Sequence, residues 1–205
     1  MKKTVEKILF QFSTRSNKQR PFIVGIDGLG GAGKTTISKK IEQELINRNY
    51  QVVTFHLDDH IVERNKRYDT GYEEWYEYYY LQWDIKHLTT YFFGCLHHNK
   101  SPMSLDYYDK NTDSFTKKEI EITSDCIVLI EGVFLQRKEW RKFYDLIIFL
   151  SCSDDVRHKR VLNRDSYIGD HEARLKKYQT RYWLGEKHYL DKQQPTKNAN
   201  IIYQV

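Results

Sequence analysis

The nine residues Gly28-Leu29-Gly30-Gly31-Ala32-Gly33-Lys34-Thr35-Thr36 constrain this chain more than any other stretch. They fit the pattern G-x-x-x-x-G-K-[ST], with Gly28 and Gly33 as the framing glycines. Glycine lets backbone N–H groups turn inward and meet phosphate oxygens with no side chain between. Lys34 has the reach for β- and γ-phosphates, and the Thr35 hydroxyl can ligate Mg²⁺. A helix beginning here adds its partial positive charge at the same spot.

The flanks supply the setting that such a loop needs. Phe22-Ile23-Val24-Gly25-Ile26 is a short, β-branched apolar run that predicts a buried strand. Ile37, Ile41 and Leu45 share one face of a helix predicted over 36–48. Strand, glycine loop, helix is the required order. The loop therefore reads as a nucleoside-triphosphate site, with Gly28, Gly30, Gly31, Ala32, Gly33, Lys34, Thr35 and Thr36 around the phosphates.

A chain of 205 residues predicts one α/β domain, 1–205, large enough for a core without staples. No apolar run approaches a membrane span, so no membrane partner is expected. The basic, partly apolar start is interrupted by Glu6 and Gln11. It reads as a short amphipathic helix within 1–18 rather than a signal peptide. Cys95, Cys126 and Cys152 lack C-x-x-C spacing, which points to reduced cysteines in a cytoplasmic protein and away from structural zinc. The net charge of +5 is a small excess. It suits a small anionic ligand at least as well as nucleic acid, and no nucleic-acid partner is expected.

Four more strands are predicted at 51–55, 126–130, 146–150 and 200–203. Alternation with helices over 85–98, 135–143, 154–164 and 171–190 implies a doubly wound, five-stranded parallel sheet. Residues 103–108 and 118–123 read as a hairpin beside it, within an insertion over 61–123. The dense aromatics from Tyr72 to Trp83 are open to three uses: stacking a ring, filling the core, or forming a homodimer interface.

Ligands of such sheets bind outside the carboxyl ends of the strands. Asp58-Asp59 follow the second strand and Glu131-Gly132 the run ending at Ile130. A carboxylate at Glu131 can hold Mg²⁺, and one at 58–59 can accept the proton of an attacking hydroxyl. The alternatives are a helix cap or turn for the aspartates and a strand-end surface residue for Glu131. Arg157, Arg160 and Arg164 recur at near-helical spacing, either as a phosphate-closing lid within 153–170 or as a solvated basic face. His97-His98 reads as a surface pair.

Together these residues resemble the uridine kinase family, with its relatives phosphoribulokinase, pantothenate kinase and nicotinamide riboside kinase. The likeness runs from Ile23 to Ile202. His56-Leu57-Asp58-Asp59-His60 resembles the family's D-[DS]-F-[YFH], and Ile130-Glu131-Gly132-Val133 its E-G-[IV]. Arg157-x-x-Arg160 with Arg164-Asp165 resembles its arginine lid, and Pro195-Thr196-Lys197-Asn198-Ala199-Asn200 its P-[TK]-K-x-A-D segment near the adenine.

The resemblance implies a P-loop kinase using ATP and Mg²⁺. Asp58 would be the base, with Thr35, Glu131 and Asp58 around the metal. Arg160 and Arg164 would attend the transferring group, Arg157 and Lys197 the nucleotide, and Asp59, Tyr108 and Asp109 the acceptor. Departures gather on the acceptor side. His60 replaces an aromatic, Asp113 stands where a histidine is expected, and Ser166-Tyr167-Ile168-Gly169-Asp170 replaces an arginine-rich lid tip. The implied acceptor is a small hydroxylic molecule, foremost a nucleoside. The alternatives are pantothenate, nicotinamide riboside, or a nucleotide-binding ATPase or regulator with no acceptor.

Overall fold

The computed structural model describes residues 1–205. Its sheet is built from β1 (Phe22–Gly28), β2 (Val52–His56), β5 (Ile127–Gly132), β6 (Leu146–Ser151) and β7 (Ile201–Gln204). All pairings are parallel in the order β2-β5-β1-β6-β7. The five-stranded sheet expected from the apolar runs is present. Every residue of β1 and β5 is buried, as parallel strands covered on both faces must be.

Alternation along those strands divides the interior into two cores. Ile23, Val128, Ile130, Phe55 and Phe149 face the aromatic side. Val24, Ile26, Leu129, Ile148 and Leu150 face the other side, where α2 (Lys34–Asn47) lays down Ile37, Ile41 and Leu45. Helix α1 (Lys2–Thr14) packs Val5 and Ile8 into this second core, as its amphipathic pattern predicts. Lys7 Nζ donates to the Asn200 carbonyl at 2.7 Å, fastening α1 beside β7.

The aromatic stretch folds as a helix that the apolar spacing did not reveal. Helix α3 (74–81) is an α-helical turn, Glu74–Tyr76, continued by π-helical Glu77–Leu81. Tyr78, Tyr79 and Trp83 enter the large core, while Tyr72 stays exposed and stacks on Tyr76. Filling the core is thus the use seen for the inward half. Helix α4 (85–97) follows, with a π-helical middle at Leu88–Phe93.

Two expectations need correction. The hairpin is β3 (Met103–Asp109) against β4 (Ser114–Ile120), so β4 begins four residues before the predicted 118. Its residues are almost all exposed, and a two-sided polar strand carries no period-2 signal. Residues 135–143 are not a helix; only Arg141–Phe143 forms a 3₁₀ turn. Phe134 sits at φ 62°, a left-handed conformation rare for a bulky residue, and it redirects the chain there.

Helix α5 (Asp154–Arg164) matches its prediction. Helix α6 (171–193) joins His171–Lys177, π-helical Tyr178–Tyr182 and Trp183–Gln193, three residues beyond the predicted end at 190. No helix is long and apolar enough to cross a membrane.

Docking of α1 is testable by a pair of substitutions. Ile8 is fully buried, so Ile8→Ala should destabilise the fold by about 2–5 kcal/mol in a urea melt. Phe10, 67% exposed on the same helix, should tolerate Ser within about 0.5 kcal/mol. Equal, small effects would mean that α1 contributes no core.

Candidate active site

Parallel register places three loops side by side at the carboxyl edge of the sheet. Glu131 pairs with Ile26 on one side and His56 on the other, so the ends of β1, β2 and β5 meet. The glycine loop leaves β1 and turns into α2 at Gly33, whose φ of +86° is left-handed and suits glycine. The amides of Lys34, Thr35 and Thr36 open that helix.

Several predicted residues converge. Thr35 Oγ1 donates to Glu131 Oε1 at 2.9 Å, and His56 Nδ1 lies 2.6 Å from the same oxygen. Burial acts to raise the Glu131 carboxyl, but the His56 hydrogen bond, the Lys34 charge and Thr35 outweigh it and hold it below its ordinary value. His56 is correspondingly raised, chiefly by Glu131. Lys34 Nζ rests on the Leu29 carbonyl at 3.1 Å.

Asp58 opens onto the cleft, yet protein crowds it closely enough that burial pushes its carboxyl up. The charges acting on it are Lys34, Glu131, Asp59 and Arg164. Asp59 adds its charge to Asp58 and His56 beside the loop and also to His60 and Tyr107 on the hairpin side. Both aspartates sit on a 3₁₀ turn, Leu57–His60, that follows β2, so strand alternation does not set their directions.

The arginines divide. Arg164 pairs with Asp165 at 2.6 Å and keeps a largely exposed side chain. Arg160 Nη1 donates to the Gly31 carbonyl at 3.2 Å. Arg157 departs from the expected lid. It is 4% exposed, with Nη1 shared between Glu186 Oε2 and the Gly30 carbonyl, both at 3.0 Å, and Nη2 on Asp154 at 2.5 Å. Burial would lower its guanidinium, but the carboxylates raise it; burial dominates at Glu186 and pushes that carboxyl up.

The remaining predicted residues lie apart from the loop's contacts. Lys197 is exposed on the short helix Pro195–Asn198 and has no hydrogen-bond partner for its side chain. Tyr108 donates to Asp113 at 2.7 Å and accepts from Arg67 at 3.1 Å, so its hydroxyl is engaged within the protein. Asp109 accepts the Asn111 N–H at 2.8 Å, which makes it a turn residue at the hairpin tip. A cavity of about 180 Å³ opens between hairpin and α4, lined by His60, Asp84, Tyr91, Asp106 and Phe115 among others. None of the phosphate-loop residues line it.

Thr35 and Glu131 fit Mg²⁺, which takes few protein oxygens and completes its shell with water and phosphate. No cluster of three acidic, histidine or cysteine residues forms a closed cage, so a dedicated all-protein metal site is not what these side chains build.

Sequence reasoning missed Asp27. It is fully buried at the end of β1, and donors converge on it from three elements. Gly28 N–H reaches Oδ1 at 2.8 Å, and Gln136 Nε2 and the Tyr189 hydroxyl reach Oδ2 at 2.9 and 2.5 Å. The Tyr189 oxygen in turn accepts the Gln136 N–H at 3.0 Å. A charged residue inside an apolar strand was the available signal. Glu186 and His56 gave none.

The model of the phosphoribulokinase / uridine kinase family matches residues 23–201. The chain belongs to that family. A uridine kinase of Lactiplantibacillus plantarum is 24% identical over 204 residues, covering 92% of this chain and 93% of that protein. One from Limosilactobacillus reuteri is 27% identical over 161 residues, covering 75% and 68%. A solved structure described as a possible uridine kinase from Bacillus stearothermophilus superposes with a TM-score of 0.77 at 38% identity, covering 98% of this chain and 99% of that one. Phosphoribulokinase from Rhodobacter spheroides shares the fold, with a TM-score of 0.64 at 16% identity, covering 92% and 71%. The protein is a P-loop kinase of this family, and its central parallel sheet is the family's fold.

The Asp27 network yields a prediction. Tyr189→Phe removes one donor from a buried carboxylate and the acceptor of the Gln136 N–H. It should cost about 1–3 kcal/mol in a denaturant melt. An unchanged melt would show that Asp27 does not depend on the phenol.

Proposed function

We propose that this chain transfers the γ-phosphoryl group of ATP to a hydroxyl of a small molecule, with a nucleoside as the foremost acceptor. The observation that carries this is the meeting of Lys34, Thr35, Glu131 and Asp58 at one end of the sheet. Family membership supports ATP and Mg²⁺ as the donor pair, and the relatives' names support a nucleoside.

In this reading the amides of the loop and Lys34 bind the β- and γ-phosphates. Thr35 and Glu131 hold Mg²⁺, which offsets charge on the phosphate oxygens. Asp58 orients the acceptor hydroxyl and takes its proton as the new P–O bond forms and the bond to ADP breaks. Arg164 faces the same cleft and balances charge on the moving group. Arg160, fixed on the Gly31 carbonyl, supports it from the loop side. Asp59 and the hairpin wall lie toward the acceptor.

Acceptor-dependent ADP release over nucleosides, pantothenate, ribosides and sugar phosphates tests the reading. ADP release without any acceptor would favour an ATPase, and none under any condition a regulator. Lys34→Ala should reduce turnover by several orders of magnitude with little change in the melt.

Asp58 and Asp59 give a sharper test. Asp58→Asn should cut kcat by about 100-fold or more while ATP affinity holds, and Asp59→Asn should cost much less. Because burial raises the Asp58 carboxyl and only its ionised form accepts a proton, kcat should fall as pH drops. That acid limb should lie above the ordinary aspartate range. A reversed order of the two variants would remove Asp58 as base.

A further inference from the structure

The amides of the glycine loop fall into two sets. Gly28 N–H donates to Asp27, and Ala32 N–H to the Leu29 carbonyl. Gly30 N–H donates at 2.5 Å to Glu186 Oε1, from helix α6. The amides of Leu29, Gly31, Gly33, Lys34, Thr35 and Thr36 have no acceptor within the protein. These six are the loop's unpaired donors, available to phosphate oxygens.

The Gly30 contact belongs to a closed ring. Glu186 Oε1 takes the Gly30 N–H, Glu186 Oε2 takes Arg157 Nη1, and that same nitrogen donates to the Gly30 carbonyl. Both ends of one residue are thus gripped by a single ion pair, whose side chains are only 4% and 5% exposed. The fit leaves no slack. A Cβ on Gly30 would come within 2.9 Å of Glu186 Oε1, and one on Gly31 within 2.7 Å of the Arg157 carbonyl. Arg160 holds the next carbonyl, that of Gly31.

Stability alone is a poor reason for this arrangement. A buried ion pair is often no better for folding than apolar side chains of similar volume. A carboxylate beside a loop that receives anions also opposes their binding, unless a cation cancels it. We infer that Glu186, backed by Arg157, is a positioning residue for the phosphate loop. With Arg157 it fixes the peptides on both sides of Gly30 so that the free amides converge, and it takes the Gly30 N–H out of the phosphate-binding set. The inference rests on the nucleotide reading of the loop proposed above, and the experiment separates the two.

The test replaces both partners, Arg157→Met with Glu186→Met, so that no unpaired charge is buried and the fold is kept. Calorimetric titration with Mg·ATP should show binding at least about tenfold weaker than in the unaltered protein, with a melt that moves little. A purely structural pair would be replaced without loss of affinity. Binding within twofold of the unaltered protein overturns the positioning role. Lys34→Ala is the control for the loop. If it binds Mg·ATP as well as the unaltered protein, the nucleotide reading itself fails. Should the double variant not fold, amide exchange in the unaltered protein decides. Gly30 N–H should exchange at least about a hundredfold more slowly than Gly31 N–H. Equal rates overturn the proposal.

Discussion

A carboxylate with no water around it must be met by donors, and Asp27 is such a carboxylate. Leaving it ionised and unmet in this interior would cost several kcal/mol. Its donors come from the start of the glycine loop, the turn after β5 and helix α6, so these three elements must close on one point for the fold to be acceptable. The left-handed backbone at Phe134 serves that closure. It turns the chain so that Gln136 presents its N–H to Tyr189 and its amide to Asp27. The strain of one residue is held by its packing against Tyr78, Tyr79 and Tyr189.

Helix α6 is the frame on which both halves of the cleft are mounted. Glu186 and Tyr189, one turn apart, hold Gly30 of the phosphate loop and Asp27 at the end of β1. Nearer the start of the same helix, fully buried Arg181 pairs with Glu77 of α3 at 2.8 Å and donates to the Arg67 carbonyl. Tyr178 donates to Asp165, the partner of Arg164. Gly185 lets α6 approach Tyr78 so closely that a Cβ there would come within 2.8 Å of the ring. The loop, the end of α5 and helix α3 are therefore positioned by one rod rather than by three independent contacts.

What the sequence made legible follows from how local each signal is. The phosphate loop spans nine residues and every role in it is set by residue type, so it could be read directly. Strands β1, β5 and β6 are short, β-branched apolar runs, the pattern of strands covered on both faces. Arg157 shows where reading stops. Its spacing with Arg160 and Arg164 predicts a shared face, yet only its partner Glu186, far along the chain, decides that it turns inward. Helix α3 was hidden because tyrosines occupy both its buried positions, 78 and 79, and its half-buried ones, 76 and 80. Strand β4 was misplaced because its register comes from the turn and not from any apolar pattern. The 135–143 segment has helix-forming residues, and tertiary bonds to Asp27 and Tyr189 override them.

The bond from Lys7 to the Asn200 carbonyl has a topological meaning. It makes the first helix and the last strand immediate neighbours, although nearly the whole chain lies between them. The order in which the elements are strung is thus separable from the way they pack. A chain opened instead at the exposed hairpin tip near Asn111, with its two ends joined, is expected to keep the five parallel strands, because the hairpin contributes none of them.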